Sequence, residues 1–165
     1  MIALARLAAF DALREIETTR LDLGEAMVRA RTPLADERDR ALLLEVVSGT
    51  LRMRKTIDYQ LARRVSRALT RLDDSVLTVL RMSGFQLMWL SRIPPSAVIN
   101  DAVELTRRAG KSSAAGLVNA VLRALARDRE HLEWPPRPSA DAPANAFVDY
   151  LSTVYSHPEW LVSRW

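Results

Sequence analysis

The sequence predicts an all-α protein, a bundle of about seven helices. Apolar residues recur at spacings of three and four along most of the 165 residues, which is the period of an amphipathic helix. The alternation with a period of two that indicates a half-buried strand does not extend over any useful length. Because 48% of the residues are apolar, the chain can bury a full core.

The first four helices are predicted from apolar stripes that short breaks separate. Pro33 is expected to end the second helix, and Asp36 is expected to cap the third, because its carboxylate can accept from a free backbone N–H. The inward-facing positions of the four helices include Ile2, Leu13, Leu23, Met27, Leu43, Val46, Ile57 and Leu61.

The next three helices have clearer boundaries. Asp73 is a good N-cap for the fifth helix, and Pro94-Pro95 ends it and starts the sixth, since proline suits a first turn but not an interior. Gly110 is expected to end the sixth helix, and Ser112 or Ser113 to cap the seventh. Their apolar stripes include Val76, Leu80, Leu87, Val98, Ala102, Leu105, Val118 and Leu122.

The last part of the chain has a different character. The string WPPRPSADAPAN, which begins at Trp134, predicts an extended Pro-rich linker at residues 132–145. Two short helices follow within residues 146–165, and Ser156 with Glu159 forms an S-x-x-E capping box for the second. Its apolar pattern breaks off at Trp165, so we expect the chain to be a truncated piece of a longer protein.

The composition argues against an active site within this chain. Without cysteine there is no disulfide, thiolate metal site or thiol nucleophile. The only histidines, His131 and His157, have no cysteine partners for zinc, and the five glycines form no phosphate-binding loop. No signal peptide or membrane span is predicted. The segment is therefore expected to be non-catalytic and metal-free.

Charge is unevenly distributed. Residues 61–127 carry eleven basic and four acidic side chains, whereas residues 1–60 are neutral and residues 128–165 carry a net −3. A basic middle suggests a polyanionic partner. Arginine outnumbers lysine by 22 to two, which fits planar contacts to phosphates and bases. Solvated arginine-rich faces or biased codon usage would give the same composition.

Two phrases, IPPSAVINDAVEL and GLVNAVLRAL, resemble the signature of the NusB family of all-helical RNA-binding domains. The final YSHPEWLVSRW resembles the segment that joins such a domain to the catalytic half of a bacterial ribosomal RNA cytosine-C5 methyltransferase of the Sun/RsmB type. The resemblance implies a NusB-like domain at residues 1–131, the linker at 132–145, and the start of the methyltransferase region at 146–165.

The resemblance also implies a function. The chain would be the RNA-binding, substrate-recognition domain of a cytoplasmic enzyme of ribosomal RNA processing, and would bind small-subunit ribosomal RNA. Its other partner would be its own C-terminal catalytic domain, which would hold S-adenosylmethionine. The alternative is a stand-alone transcription antitermination factor of the NusB type. A third interpretation is a helical protein-interaction module, and nothing in the apolar pattern excludes a dimer.

The candidate RNA contacts are basic. A cluster at the junction of the third and fourth helices is either a phosphate clamp or an ordinary exposed turn. A second cluster, at the end of the sixth helix, either contacts RNA or complements the helix dipole. One further residue matches the basic first helix of NusB, and one belongs to GLVNAVLRAL. The candidates are Arg6, Arg52, Arg54, Lys55, Arg107, Arg108, Lys111 and Arg123.

Other polar and small residues are given structural roles. Asn119 and Gln86 lie among apolar neighbours and are predicted to be buried hydrogen-bonding residues. Gly116 is predicted to let the seventh helix approach a neighbour closely, because glycine inside a helix otherwise costs about 1 kcal/mol against alanine. Trp134, Trp160 and Trp165 are expected to pack against the linker and the absent catalytic domain.

Overall fold

The computed structural model describes residues 1–19 and 21–164, and this part of the chain holds nine α-helices and no strand. Two 3-10 turns, Leu69–Arg71 and Ser112–Ala114, lie between helices. The predicted all-α fold class is confirmed. The helices are α1 Leu4–Thr19, α2 Leu23–Arg31, α3 Glu37–Arg52, α4 Arg54–Ala62, α5 Asp74–Trp89, α6 Pro95–Arg108, α7 Ala115–Asp128, α8 Ala144–Val154 and α9 Glu159–Val162.

Helix α5 is the centre of the bundle. Residues 76–87 are buried without interruption, and a helix that is buried all round belongs to a core. It packs against α1, α3, α4, α6 and α7. Helices α1, α2 and α3 pack against one another, and α6 packs against α7. Because α5 contacts both α6 and α7, this pair lies against α5. Both helices of the pair also carry exposed polar residues.

Several helix boundaries follow local signals. Asp36 and Asp73 accept hydrogen bonds from backbone N–H groups two residues ahead, at 2.8 and 2.9 Å, as predicted. Pro95 begins α6, and Gly110 follows its end with a φ of 75°, a conformation that glycine adopts without strain. The predicted serine cap of α7 is wrong: Ala114 is the N-cap, because the preceding 3-10 turn already provides the entry into the helix.

Glycine allows a close approach in α3 rather than in α7. A Cβ added at Gly49 would overlap the ring of Phe85, whereas a Cβ at Gly116 would meet nothing within 4 Å. The close approach predicted for Gly116 is therefore wrong. Gly49 lets α3 and α5 come together, because the ring of Phe85 occupies the space of the missing side chain.

The C-terminal segment returns to α4. The hydroxyl of Thr56 donates to the carbonyl oxygens of Thr153 and Val154 at 2.8 and 3.1 Å. The amide of Gln60 donates to the carbonyl of Glu133 at 2.8 Å. Both α4 side chains are fully buried. Residues 132–139 form no helix or strand. Hydrogen bonds on both sides of this stretch, at Glu133 and at Thr153 and Val154, tie the C-terminal segment to α4.

The predicted capping box of the last helix is wrong. Pro158 is the N-cap of α9 and makes no side-chain cap hydrogen bond. Both residues of the expected box turn towards α4 instead. Ser156 Oγ accepts from the backbone N–H of Lys55 at 2.9 Å, and Glu159 Oε1 accepts from Lys55 Nζ at 2.6 Å.

The tryptophans of this segment are largely exposed. Trp134 and Trp160 expose 44% and 63% of their surface, and the guanidinium of Arg164 lies over the Trp160 ring at 5.8 Å from its centroid. Their packing against a further domain stays a prediction, and Trp165 lies outside the described residues. None of the helices in the described ranges is long and apolar enough to cross a membrane.

Candidate nucleic-acid interface

Arg6 lies inside the protein, only 7% exposed. Its Nη1 pairs with Asp101 Oδ2 at 2.6 Å, and its Nε donates to Gln86 Oε1 at 2.7 Å. Gln86 is buried and donates in turn to the carbonyl of Met82 at 2.9 Å, which confirms its predicted structural role. The structure thus corrects the RNA contact that the resemblance implied for Arg6: its guanidinium ties α1 to α5 and α6.

The basic cluster at the α3–α4 junction is split. Arg52 and Arg54 are exposed, and neither pairs with a carboxylate of the described residues. Lys55 is half-buried and pairs with Glu159. This ammonium hydrogen-bonds the carboxylate and holds the pKa of Glu159 below its usual value. Arg52 and Arg54 therefore face solvent, whereas Lys55 binds the C-terminal segment through its ion pair with Glu159.

The cluster at the end of α6 is exposed but partly paired. Arg107 forms an ion pair with Glu104 one turn before it, and Lys111 Nζ lies 2.7 Å from Asp73 Oδ2. The hydrogen bond from Lys111 holds the pKa of Asp73 below its usual value. Exposed pairs of this kind contribute about 0–1 kcal/mol, so a phosphate group can replace either carboxylate at little cost.

Arg108 faces a different neighbour. It is exposed in the last turn of α6, and its positive charge acts on Asp11 of α1. Burial raises the pKa of the Asp11 carboxyl, and the charge of Arg108 opposes that rise only in part. Arg107 and Arg108 lie in the last turn of α6, where their positive charge complements the helix dipole. This structural role leaves both guanidinium groups exposed at the surface, where RNA can reach them.

Two clefts flank the α6–α7 connection. The first, called here the α6/α7 groove, has a volume of about 390 Å³ and lies between the outer faces of the two helices. Its polar and small lining residues are Asn100, Glu104, Arg107, Ala115, Gly116 and Asn119.

The second cleft, called here the α5 cleft, has a volume of about 320 Å³ and lies where α5 begins. It gathers Arg67, Arg71 and Lys111 around Asp73, with Ser113 beside them. Sequence reasoning missed Arg67 and Arg71 as candidates. The signal was present as basic residues four apart around the 3-10 turn, but their proximity to Lys111 depends on how α5 meets the α6–α7 connection.

Asn119 is not the buried residue that its apolar neighbours in the sequence predicted. It is half-buried, lines the α6/α7 groove, and its Oδ1 accepts from Arg123 Nε at 3.0 Å. The flanking Val118 and Val121 point inward instead. Asn119 and Arg123, one helical turn apart, thus form a polar pair on the outer face of α7.

A third basic cleft is closer to neutral. It has a volume of about 410 Å³ and lies between the ends of α4 and α7. Arg63 pairs with Glu133, and Asp128 accepts from both Arg64 and Arg127, at 3.2 and 3.1 Å. These carboxylates leave less excess positive charge than in the α5 cleft. No group of three or more His, Asp or Glu side chains in the described ranges could hold a metal ion.

The chain is similar to several known proteins. The model of the NusB family matches residues 3–127. The "Probable ribosomal RNA small subunit methyltransferase B" of Bacillus subtilis (strain 168) is 36% identical over 129 residues, which are 78% of this chain and 27% of that protein. The "Transcription antitermination protein NusB" of an Exiguobacterium species is 36% identical over 119 residues, 72% of this chain and 91% of that protein.

The fold has a solved counterpart. A structure of T. maritima NusB superposes with a TM-score of 0.69, covering 89% of this chain and 99% of that chain at 24% identity. At this identity the likeness concerns the fold alone. This likeness in fold is consistent with the all-helical bundle described above.

Proposed function

The chain belongs to the NusB family, and on that basis we propose that it is the RNA-binding, substrate-recognition domain of an S-adenosylmethionine-dependent small-subunit ribosomal RNA cytosine-C5 methyltransferase. In this proposal the domain binds ribosomal RNA in the cytoplasm and positions a cytosine for a catalytic domain elsewhere in the same protein. S-adenosylmethionine and the attacking cysteine belong to that catalytic domain.

The extent of the matches supports the methyltransferase assignment. The chain spans about a quarter of the length of the Bacillus subtilis relative. A "Ribosomal RNA small subunit methyltransferase B" of Escherichia coli is 29% identical over 147 residues, a longer stretch than residues 3–127 of the family match. The likeness to such enzymes therefore extends past the residues that the family model matches.

One observation carries the RNA-binding part of the proposal. Four cations line the two clefts at the α6–α7 connection and a fifth hydrogen-bonds a lining residue, against two carboxylates. Both carboxylates belong to exposed ion pairs that phosphate can displace. Cations that neutralise phosphates release counterions, which drives binding to RNA. The five are Arg67, Arg71, Arg107, Lys111 and Arg123. Arg52, Arg54 and Arg108 are further exposed cations that the proposal retains.

The test is a gel-shift titration of single-stranded ribosomal RNA fragments across salt concentrations. Several phosphate contacts give a steep slope of log affinity against log salt, and each contact contributes about −0.7 for single strands. The double variant Arg67→Glu, Arg71→Glu is expected to flatten the slope by about 1.4. Arg38→Glu, an exposed arginine outside both clefts, is the matched control. A flat wild-type response would leave a protein-interaction module as the function.

The stand-alone antitermination factor is the second candidate, because the Exiguobacterium relative with that name is matched over 91% of its length. The two functions predict different RNA preferences. A methyltransferase domain is expected to prefer small-subunit ribosomal RNA fragments, whereas an antitermination factor prefers a leader RNA. Competition between the two RNAs for the wild-type protein decides between them.

A further inference from the structure

Gly116 has no role in the packing of the protein. A Cβ at this position would meet nothing within 4 Å, and its φ is not in the left-handed region that favours glycine. Neither backbone conformation nor a close neighbour therefore requires glycine there. In a helix, glycine is less favourable than alanine because it loses more backbone entropy on folding. Its effect in the folded protein is to keep the α6/α7 groove open.

The groove has the chemistry of a polar ligand site. Asn100 from α6 and Asn119 from α7 both line it, and an amide offers a donor and an acceptor together. The Nε of Arg123 donates to Oδ1 of Asn119, which orients that amide and leaves its NH2 group for a ligand. This pattern matches the edge of a nucleobase, which carries alternating donors and acceptors.

Cations are placed where the backbone of such a ligand would run. Arg107 lines the groove, about half exposed, and its partner Glu104 is equally open to solvent. Arg123 lies one helical turn beyond the groove and hydrogen-bonds its lining residue Asn119. A guanidinium can also provide the planar surface on which a splayed RNA base stacks. The volume of about 390 Å³ lies within the range of about 300–1,000 Å³ typical of small-ligand sites.

The lining argues against a protein ligand. Protein interfaces are anchored by aromatic or large apolar side chains that enter apolar pockets. Among the residues that line this groove, Val103 is the one apolar side chain larger than a methyl group. The amides, the carboxylate and the guanidinium would each lose water to an apolar anchor without gaining a partner.

We propose that the α6/α7 groove binds one unpaired nucleobase of the RNA, with the base against Gly116, its edge at the amides of Asn100 and Asn119, and its flanking phosphates near Arg107 and Arg123. The inference rests on the proposed RNA-binding function and goes beyond it, because it assigns base recognition to one groove. Phosphate contacts alone position RNA without reading its bases, as they do for DNA.

The test compares oligoribonucleotides of about 15 residues, each with a single base type, with an abasic oligomer of equal length. The wild-type protein is expected to bind at least one base type about tenfold more tightly than the abasic oligomer, because only a base can hydrogen-bond the two amides of the groove. Gly116→Leu fills the groove and is expected to abolish that preference while keeping the salt slope. Ala120→Leu places the same side chain on the exposed face of α7 outside the groove and should keep the preference.

A second variant and a spectroscopic readout guard against misfolding. Asn119→Ala removes one amide and should reduce the preference, and the side-chain NH2 resonances of Asn100 and Asn119 should shift when base-containing RNA is added but not with the abasic oligomer. Unchanged preference in Gly116→Leu and Asn119→Ala, or equal wild-type affinity for both kinds of oligomer, would overturn the base site and leave RNA binding intact. Absence of salt-dependent wild-type binding would instead overturn the proposed function.

Discussion

The substitution Gly49→Ala tests the account of the helical core. The added Cβ would overlap the ring of Phe85, which is 4% exposed and stacked on Trp89 at 5.4 Å between centroids. The ring has to retreat by about 1.5 Å to reach ordinary contact. Overpacking of this kind costs about 1–3 kcal/mol, whereas the lower entropy of the unfolded chain returns about 0.4–1 kcal/mol. The difference between these two ranges is about 0–2.6 kcal/mol, and we expect a net loss near its middle, about 1–2 kcal/mol.

Thermal unfolding followed by circular dichroism at 222 nm is the assay, and a loss of this size lowers Tm by about 2–8 °C for a chain of this length. Gly116→Ala is the matched control, because its Cβ enters open space. It is expected to raise the free energy of unfolding by about 0.4–1 kcal/mol. If Gly49→Ala were as stable as the wild type, or Gly116→Ala less stable, the packing argument for both glycines would be refuted.

Two further predictions concern charged contacts. Arg6→Met leaves Asp101 as a buried carboxylate without its cation and is expected to lower the free energy of unfolding, measured in urea, by about 3–5 kcal/mol. The control Arg92→Met, at an exposed position, should change that free energy by less than about 0.5 kcal/mol. Equal effects of the two substitutions would contradict a stabilising buried ion pair. Lys55→Met removes the cation that lowers the pKa of Glu159, so an NMR titration should show that pKa rising towards its usual value. Because the folded-state pKa is lowered, the contact stabilises the fold above the usual glutamate pKa and is lost as pH falls through the lowered value. A pH-independent wild-type contact would contradict this.

The positions of the helices could be predicted from the sequence because their signals are local. The N-caps Asp36 and Asp73 bond N–H groups two residues away, and Pro95 and Gly110 act on the backbone at their own positions. The caps of α7 and α9 could not be predicted in the same way. Ser156 and Glu159 accept hydrogen bonds from Lys55 instead of capping α9, and Lys55 lies about 100 positions earlier in the chain.

The candidate site depended more strongly on the tertiary structure. The sequence identified a basic middle region and the cations at the end of α6, since charge and helix position can be read from the order of residues. It could not show that Arg67 and Arg71 join Lys111 in one cleft. Nor could it show that Asn119 faces a groove, because an apolar neighbour in sequence points to another face of a helix.

The helical class of this chain, most of its helix boundaries and its family resemblance can all be read from the order of its residues. Those properties follow from periodicity, caps and motifs that act within one or two turns. Which cations face solvent, in contrast, depends on the tertiary structure. Arg6 lies inside because Asp101, 95 positions away, meets it there, and Lys55 holds the C-terminal segment because α4 packs against α8. The availability of a charge for RNA depends on partners that come together only through folding.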